Sequence, residues 1–269
     1  MIVHKFDPIL IDWGLLQIRW YSIAYILGIL VGWIYATKII KITKENKYNF
    51  KQITKLQFDD MLVYLILGII IGGRLGYIIF YNFIYYSQNL IEIFKIWQGG
   101  MSFHGGLLGV IISIFIYSQK NKLSFFKFSD IVSCVAPIGI FFGRISNFIN
   151  GELYGKTSDL PWSVIFPNGG VFPRHPSQIY EAILEGLVLF LLINYFAIKK
   201  QIIFRQGYAS CLFLIFYSFF RIIAEMFREP DMHLGLFFNY FSLGSLLSLA
   251  TIIIGLTIIY NIKKNEQNN

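Results

Sequence analysis

Long apolar runs constrain this chain more than any other feature. Trp20 to Thr37 and Met232 to Ile262 contain no Asp, Glu, Lys or Arg, and further apolar runs lie near 57–80, 99–118, 130–150, 177–198 and 207–227. About 20 helical residues cross a hydrocarbon core about 30 Å thick, and a soluble core has no use for so many segments of that length. With no water in the core, every backbone N–H and C=O must find a partner inside the protein, which a helix achieves within one segment. The pattern predicts an all-α polytopic membrane protein with about seven transmembrane helices. Pro137, Gly139, Gly143 and Arg144 interrupt the span at 130–150, so broken or Gly-rich helix ends around a central cleft are expected. Composition agrees, with 14% charged residues against about a quarter in soluble domains.

The net charge of +8 is distributed by side rather than gathered in a patch, which argues against nucleic acid. Fourteen of the 23 Lys and Arg residues fall in loops 38–56, 119–129 and 199–206 and in the tail. By the positive-inside rule those loops and the C-terminus are cytoplasmic and the N-terminus is outside. An odd number of spans agrees. A single integral membrane domain over 1–269 is expected, with a short periplasmic segment near 152–175. Gly68, Gly72 and Gly76, and Gly28 with Gly32, are spaced for close helix packing in lipid. Cys134 and Cys211 both sit in apolar runs and read as buried fillers, not as a disulfide or a metal pair.

Polar residues inside the apolar segments carry the functional signal. Arg74, Arg144 and Arg221 fall there, and an arginine at mid-bilayer costs a few kcal/mol unless it is paired, faces a wet cavity or snorkels to the headgroups. Tyr217, Arg221, Glu225 and Arg228 share one helical face. That stripe is either a functional cleft or a structural ion pair. The stretch Gly143 to Gly155 holds Arg144, Asn147, Asn150 and Glu152, a set of amides and a guanidinium that suits an oxyanion; the alternative is a polar loop leaving the membrane. His104 stands among five glycines between Gly99 and Gly109, open to acid–base use or to a structural role. Glu181 and Glu185, four residues apart, imply an interior-facing polar side on the 177–198 span; Glu185 reads as balancing an arginine. Neither HExxH nor a serine nucleophile elbow is present.

Taken in order, these segments resemble the bacterial prolipoprotein diacylglyceryl transferase family over almost the whole chain. The resemblance rests on Arg19-Trp20-Tyr21, Gly72-Gly73-Arg74-Leu75-Gly76-Tyr77, Gly100 to Gly106, Gly143-Arg144 through Gly155, Arg174 through Glu181, and Phe220-Arg221 through Arg228. The family signature usually has Gly or Ala where Ser146 stands, and Ser is small enough to keep its hydroxyl on a backbone carbonyl. The segment between Glu152 and Arg174 is short, so no sizeable periplasmic head is expected.

The resemblance implies a transferase in the bacterial cytoplasmic (inner) membrane, active toward its outer face. It would move the diacylglyceryl group of phosphatidylglycerol to the lipobox cysteine that follows a prolipoprotein signal peptide. A thioether forms and glycerol phosphate leaves, as the first step of lipoprotein maturation, with no metal or cofactor. Arg144 and Arg221 would stabilise charge on the departing phosphate. Asn147 and Gly155 would complete headgroup binding, Tyr21 would line the pocket, and His104 would act as base with Glu225 as rival. A transporter or flippase for anionic lipid would also need interior arginines and broken helices, but no inverted repeat is visible. A membrane scaffold would leave the arginines unexplained.

Overall fold

The computed structural model describes residues 2–14, 17–45, 53–229 and 242–268. Among the described residues six helices are long and apolar enough to cross a membrane: Trp20–Thr43, Lys55–Tyr81, Phe125–Ile149, Ser177–Lys199, Tyr208–Glu225 and Gly244–Gln267. The span expected at 99–118 becomes the helix Phe103–Lys120, 18 residues long. Gly99 and Gly100 take left-handed φ of 87° and 79°, so no helix continues through them. Among the described residues six helices meet both the length and the hydropathy requirement, where about seven spans were expected. Residues 230–241, at the start of the last expected span, and 46–52 of loop 38–56 lie outside the described residues.

The chain divides into two compact units, 1–39 with 130–269 and 40–129. In the first, the strand Ile2–Val3 pairs in parallel with Val164–Ile165, and Ile9–Asp12 pairs antiparallel with Gln17–Arg19. An all-α expectation misses such strands because two to four residues are too few to show a period of two. A Cβ added at Gly28 would lie 3.1 Å from the Gly139 Cα, so the first helix and the Phe125–Ile149 helix touch backbone to backbone. Cys134 and Cys211 are free and buried. Asp130, 1% exposed, accepts from Gly207 N at 2.7 Å and Ser210 N at 2.8 Å. It thereby satisfies two of the orphan donors at the start of the Tyr208–Glu225 helix.

In the second unit, Thr54 and Gln57 form a capping box that opens the Lys55–Tyr81 helix. That helix packs against Phe103–Lys120 through glycines: a Cβ at Gly76 would lie 2.7 Å from the Gly105 Cα, and one at Gly72 would lie 2.9 Å from the Gly109 Cα. The spacing read as helix packing therefore does pack helices, by the close approach that small residues allow.

Candidate active site

The Phe125–Ile149 helix ends in a Schellman motif that builds one half of the site. Gly151, at φ 65°, donates its N–H to Phe148 O at 3.0 Å, and Glu152 N donates to Asn147 O at 3.2 Å. The motif brings the sixth residue of the turn back over the first, a place usually filled by an apolar contact. Here it is polar: Asn147 Nδ2 donates to Glu152 Oε1 at 2.9 Å. The Tyr21 hydroxyl also donates to Glu152 Oε1 and accepts from Asn147 Nδ2. Asn147 is 6% exposed, and Tyr21 and Glu152 are half-buried. Gln178 Nε2 donates to the Glu152 carbonyl at 2.6 Å, which ties the turn to the start of the next helix. Two of the expected site residues thus share one carboxylate that the sequence reading had not assigned.

The other half is a cluster of buried charges. Arg144 Nη1 lies 2.8 Å from Glu181 Oε2, and its Nη2 lies 3.1 Å from Glu185 Oε2. Arg221 Nη1 lies 3.4 Å from both Glu181 and Glu185, while its Nη2 pairs with Glu225. Arg228 Nη1 lies 3.3 Å from Glu181 Oε1. From Ala182 the helix carrying the two glutamates widens into π turns, a local distortion common where function needs it. Three guanidiniums thus face three carboxylates, and Arg144 and Arg221 keep 16% and 14% of their side-chain surface open. Neither snorkels. The sequence stripe Tyr217–Arg221–Glu225–Arg228 is resolved as an interior charge network. A guanidinium offers five planar donors, so a cluster oriented by carboxylates in a low-dielectric setting is prepared to receive an oxyanion without reorganising.

Gly155 lies against His175 and Phe227. Its N–H donates to His175 O at 2.9 Å, its carbonyl accepts from Arg174 Nη1 at 3.1 Å, and a Cβ there would lie 2.7 Å from the His175 Cβ. It lets three backbone segments meet. Arg174 also reaches Gly169 O at 2.8 Å and Glu229 at 3.0 Å. His175, half-buried, is held below the ordinary histidine range by burial first and by the nearby Lys156 charge second.

Glu225 accepts from Arg221, and its side chain is packed against Gly244, where an added Cβ would lie 3.0 Å from its carboxyl carbon. That environment suits a group that orients Arg221. His104 belongs to the second unit and is the second residue of the Phe103–Lys120 helix; its side chain lies outside the described residues. Ser146 departs from expectation. It is 1% exposed and, among the described residues, its Oγ has no hydrogen-bond partner, so the hydroxyl is not spent on a backbone carbonyl. Glu152, Glu181 and Arg228 are the site residues that sequence reasoning left without a role. The i, i+4 spacing of Glu181 and Glu185 was the available signal for one of them. Among the described residues no group of three or more His, Cys, Asp or Glu side chains is placed to hold a metal ion.

Comparison with known proteins gives a consistent picture. Residues 8–261 match the model of the prolipoprotein diacylglyceryl transferase family. The chain is similar to the phosphatidylglycerol–prolipoprotein diacylglyceryl transferase of Rickettsia bellii strain OSU 85-389, with 49% identity over 259 residues, covering 96% of each chain. It is likewise similar to the proteins of that name from Rickettsia typhi, at 47% identity over 260 residues, and Rickettsia canadensis, at 46% over 260 residues. Both alignments cover 96% of this chain and 98% of the relative.

Proposed function

From the premise that the chain belongs to the prolipoprotein diacylglyceryl transferase family, we propose the following account of its chemistry. It is a multi-pass membrane transferase that moves the diacylglyceryl group of phosphatidylglycerol onto a prolipoprotein. The acceptor is the lipobox cysteine behind the signal peptide, and the reaction takes place at the outer face of the inner membrane. The thiol loses its proton and becomes the nucleophile. Its sulfur bonds to the glyceryl carbon that carries the phosphate, the carbon–oxygen bond breaks, and glycerol phosphate departs with the electron pair. The phosphate therefore gains a second negative charge during the step.

The observation that carries this reading is the buried pair Arg144 and Arg221, held by Glu181 and Glu185 with a small part of each side chain open. Fixed cations stabilise growing charge best where water is excluded. Tyr21, Asn147 and Glu152, joined by hydrogen bonds, form the polar wall for the lipid headgroup, and Gly155 sets the backbone beneath it. His104 is the proposed base, supported by its place in a glycine-rich stretch of the sequence. Imidazole titrates near about 6.5 and a thiol near about 8.5 in water, so that transfer is modest in cost. Glu225 remains the rival candidate. The basic loops support an N-terminus outside, a cytoplasmic C-terminus and a seventh span.

Purified protein in lipid nanodiscs with phosphatidylglycerol and a lipobox peptide tests the account. Lipid-modified peptide is expected, with glycerol phosphate released in equal amount; lipid movement across the bilayer without modified peptide refutes it. Arg144→Lys and Arg221→Lys, which keep charge but lose the planar fork, are each expected to cut turnover by about a hundredfold. His104→Gln is expected to bind phosphatidylglycerol and fail to turn over. Native turnover with an intact acidic limb in its pH–rate profile moves the base to Glu225. Outside labelling of a cysteine placed at position 45 in intact cells would overturn the topology.

A further inference from the structure

One interior arginine has no part in the proposed reaction. Arg74, on the Lys55–Tyr81 helix, is 3% exposed, so it does not snorkel to the headgroups. Among the described residues it also has no acidic hydrogen-bond partner. Its donors go to five backbone carbonyls: Nε to Ile93 O at 2.9 Å, Nη1 to Gly99 O and to Gly100 O at 3.2 Å, and Nη2 to Glu92 O at 2.6 Å and Lys95 O at 3.2 Å. The guanidinium carbon also sits 5.0 Å from the centre of the Tyr86 ring. The segment it gathers consists of the 3₁₀ turns Leu90–Phe94 and Ile96–Gln98 and the two left-handed glycines. Turns this short leave carbonyls without partners, which is costly near a bilayer. A guanidinium matches that need because its five N–H groups are spread around a rigid plane.

The same contacts fix where the next helix begins. Ser102 N donates to Gly73 O at 2.8 Å, on the residue beside Arg74. Ser102 Oγ then accepts from Gly105 N at 3.3 Å and caps the first turn of Phe103–Lys120, the turn that contains His104. A Cβ added at Gly100 would lie 2.6 Å from the Tyr77 ring and 3.0 Å from Arg74 Nη1. The chain is therefore held on one side by Arg74 and on the other by the ring.

We infer that Arg74 is a positioning residue for the reaction: it fixes the carbonyls of residues 92–100 and so sets the backbone of the first turn of the Phe103–Lys120 helix, the turn to which His104 belongs. The inference rests on the reading in which His104 takes the thiol proton. It assigns Arg74 an effect on the chemical step and none on lipid binding.

The test uses the full-length protein in nanodiscs of phosphatidylglycerol and a neutral lipid, with a lipobox peptide as acceptor. Arg74→Lys keeps the charge but offers three N–H from one point, so at least two carbonyls lose their donor. Hydrogen exchange at the amides of 99–106 is expected to speed up by about tenfold or more, the effect of losing one buried charged hydrogen bond. Exchange in the 144–155 segment should stay unchanged. The kcat should fall by a similar factor, while the KM for phosphatidylglycerol stays within about twofold of native. Gly100→Ala disturbs the same segment with the charge in place and should give the same kcat-specific loss, which covers the case of an Arg74→Lys protein that does not fold. Native kcat in both variants, unchanged exchange at 99–106, or a loss that falls on the lipid KM would each overturn the inference. His104→Gln measured alongside separates the two ideas: native turnover in that variant removes the base, whereas the exchange result judges Arg74 alone.

Discussion

Replacing Glu181 with Gln removes the carboxylate on which three arginines converge. Glu181 is 1% exposed and meets Arg144 at 2.8 Å, Arg221 at 3.4 Å and Arg228 at 3.3 Å. At an effective dielectric constant of about 20, one such pair attracts by about 5 kcal/mol before desolvation is counted. Most of that gain is offset by the cost of taking both ions out of water, so the intact network adds little net stability. Removing one partner is different, because the remaining guanidiniums stay buried and lose their balance; single breaks of buried pairs cost about 3–5 kcal/mol. Three cations against Glu185 and Glu225 put Glu181→Gln at the upper end of that range. For a chain of this size a loss of about 5 kcal/mol lowers Tm by about 10–20 °C. Thermal unfolding in detergent micelles, followed by circular dichroism, measures it. Glu181→Gln with Arg228→Met restores charge parity and is expected to recover about 1–2 kcal/mol, a coupling that independent sites would not show. A native Tm in Glu181→Gln, or a double variant as damaged as the sum of the singles, would refute the shared-counterion argument.

Three further outcomes follow from the geometry. Glu152→Gln neutralises the acceptor shared by Tyr21 and Asn147; since a hydrogen bond to a charged group contributes about 1.5–3 kcal/mol, the lipid KM should rise about tenfold or more, and a native KM would separate that triad from headgroup binding. Gly155→Ala drives a methyl to 2.7 Å from the His175 Cβ; a cost of about 1–3 kcal/mol is expected in unfolding experiments, and an unchanged Tm would mean the three segments relax freely. His175 has its pKa lowered by burial and by Lys156, so the unfolded chain takes up the proton first as pH falls. Its contribution to stability should be fully present above about pH 6.5 and be lost as pH drops through the folded value. His175→Asn should flatten that part of a Tm–pH curve, and an unaltered curve would count against it.

Sequence alone determined that this chain lives in a membrane, because apolar runs of sufficient length leave water few other places for them. It also located the unusual groups, Arg144, Arg221, Glu225 and the Gly143–Gly155 stretch, since a charge inside an apolar helix is conspicuous at any position. The glycine spacing at 68, 72 and 76 was legible for a similar reason: helix faces repeat every few residues, and small side chains at that interval have one main use. What tertiary structure decided is which charges meet. Glu181 lies 37 residues from Arg144 and 40 from Arg221 along the chain, and no local pattern predicts that one carboxylate serves both. The shared use of Glu152 by Tyr21 and Asn147 depends on a Schellman turn at Gly151 and on the close contact of Gly28 with Gly139. The fate of Arg74 was equally hidden, because its acceptors are backbone carbonyls, a chemistry every residue possesses and only the folded path of the chain can aim.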